Sequence, residues 1–194
     1  MRLRLVGRPG QLAAMLAAIC VCLMSASAET FSSSYTSIAP EDCRTDKGGT
    51  RACPGKAGLV VLVSEDDLRE TVSVGRDRGA AAREPATRTW FGPFNSATAT
   101  VEWRAAGGTP FAVIQRWRIS DIDDEDKTGR PISKQMLAPG AVCHVAYVDV
   151  KANSNANELA RQAADTIARN FKCDEDKVKI VGATGRAVEL ATMR

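Results

Sequence analysis

Residues 141–173 read AVCHVAYVDVKANSNANELARQAADTIARNFKC, and the change of period within this stretch decides the fold. Ala141 to Val150 alternates and is rich in Val, the pattern of a pleated, half-buried strand. Asn153 to Asn157 supplies turn and N-cap residues. From Asn157 the spacing turns helical, with Leu159, Ala163, Ile167 and Phe171 four apart. A strand from Cys143 to Val150 advances about 23 Å. A helix from Asn157 to Cys173 returns about 24 Å. These matched lengths predict a Cys143–Cys173 disulfide, with Val145 and Tyr147, on the strand face of Cys143, lying under the helix.

At the start of the chain, residues 1–28 read as a cleaved signal peptide. Arg2, Arg4 and Arg8 form a basic start, Leu12 to Met24 is a short apolar run, and Ala26-Ser27-Ala28 is a small-residue cleavage site before Glu29. The run is too short to span a bilayer, and no second stretch of spanning length follows, so the expected product is periplasmic or secreted without a membrane span. The chain carries 26 Lys and Arg against 23 Asp and Glu, and without the three arginines of the leader the balance is 23 against 23. A formally neutral protein with no lysine–arginine block is not built for nucleic acid.

Four cysteines remain after the leader: Cys43, Cys53, Cys143 and Cys173. An even count in an exported chain argues for disulfides, and loop closure favours Cys43 with Cys53 around a Gly-Gly turn. Residues 29–57 are rich in Ser, Thr, Gly and charge, and read as a surface strap tied by that bond. Residues 58–181 read as a single domain and residues 182–194 as a loose tail. Within the domain, Leu59 to Val63 and Glu70 to Val74 predict a hairpin. Trp90-Phe91-Gly92-Pro93-Phe94 reads as an aromatic plug at one end of the core, or else as a ligand platform.

Thr98 to Arg104 and Pro110 to Ser120 alternate on either side of Gly107-Gly108. A three-residue loop sets Trp103 against Phe111 and Val101 against Val113, which gathers the apolar residues, with Trp117 and Ile119, on one face. Glu102, Arg104, Arg116 and Arg118 then share the other face. Ile132 to Leu137 reads as a weak edge-like strand, and Lys177 to Val181 as a short, lysine-protected edge. The fold class expected is α+β: a twisted antiparallel sheet of about six strands with one long C-terminal helix on a face, stabilised by disulfides.

The chemistry is sparse. His144 is the sole histidine, so any Ser-His-Asp or Cys-His mechanism must use it, with Asp149 as a candidate orienter. Asp124 to Gln135 matches part of a twelve-residue calcium loop, with Asp124, Asp126 and Thr128 at the first three ligand positions and Gly129 at the turn. It departs at Pro131 and at Gln135, where a bidentate Glu is expected, and reads first as a solvated acidic loop. Nothing calls for a cofactor. Arg104, Arg116 and Arg118 offer a face for an anionic ligand or an acidic partner.

Cys53-Pro54-Gly55, Glu102-Trp103-Arg104, PFAVIQRW from Pro110, and CHVAYVDV from Cys143 with the NELAR helix resemble uncharacterised secreted proteins of alphaproteobacteria over roughly Cys43 to Cys173. The resemblance implies a cell-envelope setting and no activity. The functional expectation is a non-catalytic binding or accessory module of the envelope, its partner an envelope protein or an anionic ligand. The alternative is a small periplasmic hydrolase or isomerase using His144 or a carboxylate pair.

Overall fold

The computed structural model describes residues 29–121, 130–137 and 141–192, the middle segment by its backbone alone. In chain order the strands and helices are β1 (Phe31–Ser37), β2 (Arg44–Thr45), β3 (Arg51–Pro54), β4 (Val60–Asp66), β5 (Arg69–Gly75), α1 (Arg78–Arg83), β6 (Asn95–Ala106), β7 (Thr109–Ile119), β8 (Arg130–Leu137), β9 (His144–Asp149), α2 (Ala156–Thr166), β10 (Lys179–Ile180) and α3 (Arg186–Thr192). The sheet runs β10-β9-β8-β7-β6-β5-β4-β3-β2, ten strands among the described residues with β1 paired to β6. All neighbours are antiparallel except β5 with β6, joined at Arg69 and Asn95, and β9 with β10. The class is mixed α and β as expected, but the sheet is larger and curled. The meander of β3 to β5 folds over one face of β6 and β7, so Val61, Val63, Val72 and Val74 share a buried cluster with Trp103, Trp117 and Ile119.

The β6–β7 hairpin closes on two glycines, Gly107 and Gly108, at φ +54° and +84°. Positive φ at both central residues is what a two-residue loop matching the strand twist requires. One extra residue on the β7 side, between Arg104/Ala112 and Ala105/Pro110, then sets Trp103 against Val113 and Val101 against Gln115. The expected three-residue loop is therefore corrected. The observed register differs from the expected one by two residues, and an even shift preserves the faces. Val101, Trp103, Val113, Trp117 and Ile119 are all buried together. Phe111, at the irregularity, turns instead toward α2 and meets Phe31 edge-on at 5.7 Å.

An irregularity in β9 has the larger effect. Lys134 pairs with Tyr147 and Met136 with His144, so three steps on β9 oppose two on β8. The extra residue inverts the alternation between His144 and Tyr147. Cys143 and Val145 pack under α2 as expected. Tyr147 does not, and this expectation is corrected: it lies on the opposite face with Phe91, ring centroids 5.7 Å apart, while Val148 takes the place under the helix.

Helix α2 is shorter than expected, ending at Thr166 before a single 3-10 turn at Ala168–Asn170. Its inward stripe is Ala156, Ala160 and Ala164, continued by Ala168 in the 3-10 turn, with Leu159 and Ile167 only half-buried at the flanks. Small side chains let the helix axis lie close to the sheet. The Cys143–Cys173 bond (S–S 2.09 Å) and the Cys43–Cys53 bond (S–S 1.99 Å) both form as expected.

Three further expectations are corrected. Phe31–Ser37 is a strand along β6 rather than part of a strap. Strand β8 lies between β7 and β9 and is not an edge. Gly182 onward is not a loose tail: α3 buries Ala187, Val188, Leu190 and Ala191 in the main cluster. Among the described residues no helix is long and apolar enough to cross a membrane.

Candidate functional site

His144 projects from β9 into the core, 3% exposed. Its Nδ1 lies 2.8 Å from the Tyr147 hydroxyl, its ring stacks near Phe91, and its Nε2 has no hydrogen-bond partner among the described residues. Asp149, 1% exposed, is occupied elsewhere. One oxygen accepts the N–H groups of Lys151 and Ala152, closing the turn after β9. The other accepts from Ala187 and Val188 at 3.1 and 3.3 Å, holding the start of α3. A buried carboxylate answered by backbone donors is a structural anchor. The two residues do not form a His–Asp pair, and neither presents a proton-transfer atom to solvent as a general base requires.

Asp124, Asp126 and Thr128 lie outside the described residues. Asp121, just before them, is buried and holds Arg186 by two bonds of 2.9 and 3.0 Å. Among the described residues no group of His, Cys, Asp and Glu is arranged to hold a metal ion. The aromatic plug is divided. Phe91 is buried edge-on against Trp117 at 5.3 Å, whereas Trp90 and Phe94 are exposed.

The arginine face separates into a buried part and an open part. Arg104 is 7% exposed and grips Asp165 of α2 with Nε at 3.0 Å and Nη2 at 2.6 Å, while Nη1 donates to Ser33 at 2.7 Å. The Ser33 hydroxyl donates to Glu102, which also accepts Arg161 Nε at 2.6 Å. Arg161 in turn reaches the Tyr35 hydroxyl at 3.3 Å. This chain of charged hydrogen bonds ties β1, β6 and α2 together, and it uses Arg104 for structure. Arg104 is thus corrected from ligand contact to internal strut. The Glu102 carboxylate beside Arg161 raises the pKa of that guanidinium further, so it is cationic at any physiological pH.

Arg116 and Arg118 remain on the open part. They line a groove of about 440 Å³ between the β6–β7 hairpin and α2, together with Tyr35, Thr98, Thr100 and Arg161. Arg116 donates to Asn157 at 2.7 Å, which fixes its head group at the groove wall. Arg118 is exposed and makes no hydrogen bond or ion pair among the described residues. Among the described residues three guanidinium groups face one carboxylate, an excess of positive charge, with threonine and tyrosine hydroxyls beside it. Such a set of donors suits a carboxylate, phosphate or sulfate group.

Sequence patterning located Arg116 and Arg118 but missed Tyr35 and Arg161. Tyr35 was hidden because its segment read as a strap. Arg161 was visible on the polar side of the helix, yet only the helix position shows that this side overlooks the hairpin. No protein-family model, characterised protein or solved structure matches the chain.

Proposed function

We propose that the protein is an exported, non-catalytic accessory module of the cell envelope that binds an anionic group of another envelope component in the groove of Arg116 and Arg118. The observation that carries this reading is Arg118, an exposed guanidinium with no hydrogen-bond or ion-pair partner among the described residues, placed next to Arg116 on a hydroxyl-bearing floor. Two disulfides fit an oxidising compartment, and the periplasm is the compartment the leader points to. The burial of His144 and the engagement of Asp149 weigh against a hydrolase or isomerase built on that pair.

The test is a titration of the mature protein with an oligo-glutamate, followed by NMR of the arginine Nε–H groups. Arg116 and Arg118 are expected to shift while Arg104, closed off by Asp165, does not. Binding is expected to weaken as salt is raised, because the groove is open to solvent. Equal shifts at all three arginines, or none, would overturn the reading.

A further inference from the structure

A second groove, of about 530 Å³, lies between the β4–β5 hairpin and the turn that carries Trp90. Its wall includes Glu65, Asp66, Arg69, Thr71, Thr87 and the Trp90 indole. Of the three tryptophans, Trp103 and Trp117 are fully buried and Trp90 is 55% exposed. An isolated exposed aromatic is ordinary on a protein surface. Here the exposed indole borders a cleft, and the backbone just after it is anchored twice. The neighbouring Phe91 is sunk in the core, and Arg69 Nε donates to the Gly92 carbonyl at 2.8 Å.

The polar groups of the cleft are equally well placed. Arg69 is pinned by the Asp67 carbonyl at 2.9 Å and the Asp67 carboxylate at 2.5 Å, with its guanidinium over Phe94 at 4.9 Å. The Asp66 carboxylate makes no hydrogen bond or ion pair among the described residues and faces water. An exposed apolar plate on an anchored backbone, with hydroxyl and guanidinium donors and a free carboxylate acceptor around it, matches the two-sided character of a sugar ring. One face of a pyranose presents C–H groups that lie flat on an indole. Its equatorial hydroxyls each donate and accept, and a vicinal pair can bridge the two oxygens of one carboxylate. The charge of the cleft selects further: the ladder sets Asp66 beside Arg69 on the cleft face and turns Glu65 to the opposite face with Glu70, so two carboxylates, from Asp66 and Asp67, face the single guanidinium of Arg69. Sugars bearing carboxylate, sulfate or phosphate are repelled, and an amine is attracted both by the carboxylates and by the indole face.

We propose that this groove binds a neutral or amine-bearing saccharide, with Trp90 as the stacking platform and Asp66 and Arg69 as its hydrogen-bonding partners. The size of the cleft fits a short oligosaccharide rather than a single small group. The site is separate from the arginine groove and selects the opposite charge.

Trp90 reports on the site directly, because acrylamide reaches it and not the two buried indoles. The mature protein is titrated with a panel of neutral gluco-, manno-, galacto- and N-acetylchito-oligosaccharides, with the de-acetylated chito-oligosaccharide and with an oligogalacturonate. At least one neutral or amine-bearing member is expected to shift the emission saturably and protect Trp90 from acrylamide, with a Kd of about 1 mM or tighter. The oligogalacturonate is expected to do neither. Trp90→Ala, judged by direct calorimetry, is expected to weaken binding by about tenfold or more, with Trp90→Phe intermediate. Asp66→Asn is expected to weaken the amine-bearing ligand more than the neutral one, and Arg118→Glu to change nothing. If no panel member binds at about 10 mM, or if the anionic sugar binds as well as the neutral ones, the proposal is wrong.

Discussion

Among single residues, the clearest distinction lies between two arginines that look alike in sequence. Arg104 and its partner Asp165 have side chains only 8% and 18% exposed, so removing one partner leaves the other charged and largely out of water. Asp165→Ala is expected to destabilise the fold by about 3 kcal/mol or more. Arg118→Ala, at an exposed position, is expected to change stability by no more than about 0.5 kcal/mol. Urea unfolding of both variants checks the contrast. Leu68 offers a test in the other direction. With Asp67 it forms the two-residue turn between β4 and β5, and both are left-handed, at φ +48° and +59°. A branched, exposed leucine gains nothing from that conformation, so Leu68→Gly is expected to stabilise the protein by about 1 kcal/mol, in part offset by the freedom glycine has when unfolded. His144→Ala opens a cavity in the core and is expected to lower stability by about 2 kcal/mol while leaving ligand binding in either groove intact, which calorimetry on the folded variant would show.

At the scale of elements, the sequence reveals most where local pattern and tertiary contact agree. The Cys143–Cys173 closure follows from matched strand and helix lengths, and it survives the fact that the helix ends earlier than its period suggests. Replacing both cysteines by alanine is expected to cost about 2–4 kcal/mol in guanidinium unfolding, mainly through the freedom regained by the unfolded chain. What the pattern does not reveal are insertions of one residue. The irregularity between His144 and Tyr147 leaves no mark on composition, yet it moves Tyr147 to the other face and Val148 under the helix. The same holds for Phe111 in β7. Helix α2 shows a different gap. A period reading ranks Leu159 and Ile167 as the inward face because they are large, but a helix lying flat on a sheet gains more from the close approach that an alanine stripe allows. Helix α3 was hidden because its first turn is held by Asp149, 38 residues upstream, a contact that no local signal announces.

Over the whole molecule, the central sheet is covered on both faces, by the β3–β5 meander with α3 on one and by α2 on the other. Among the described residues this double cover buries most of the large apolar side chains and the histidine, and it leaves two charged grooves at the rims. Among the described residues the rims differ in sign: one holds three guanidinium groups against a single carboxylate, the other two carboxylates against a single guanidinium. The charged face was legible in sequence as alternation around Trp103 and Trp117. Its division into a buried strut and an open pair was not, because that depends on where α2 lands. The second rim was legible only as an aromatic cluster, since exposure of Trp90 beside a buried Phe91 is decided by the turn at Gly92 and Pro93. The most direct measurement is a cross-linking pull-down of the mature protein from intact source cells, run beside the Arg116→Glu/Arg118→Glu variant. An anion-binding envelope module predicts one stoichiometric envelope component captured by the native protein and lost with the variant, at unchanged melting temperature. Capture of the same component by both proteins would contradict it.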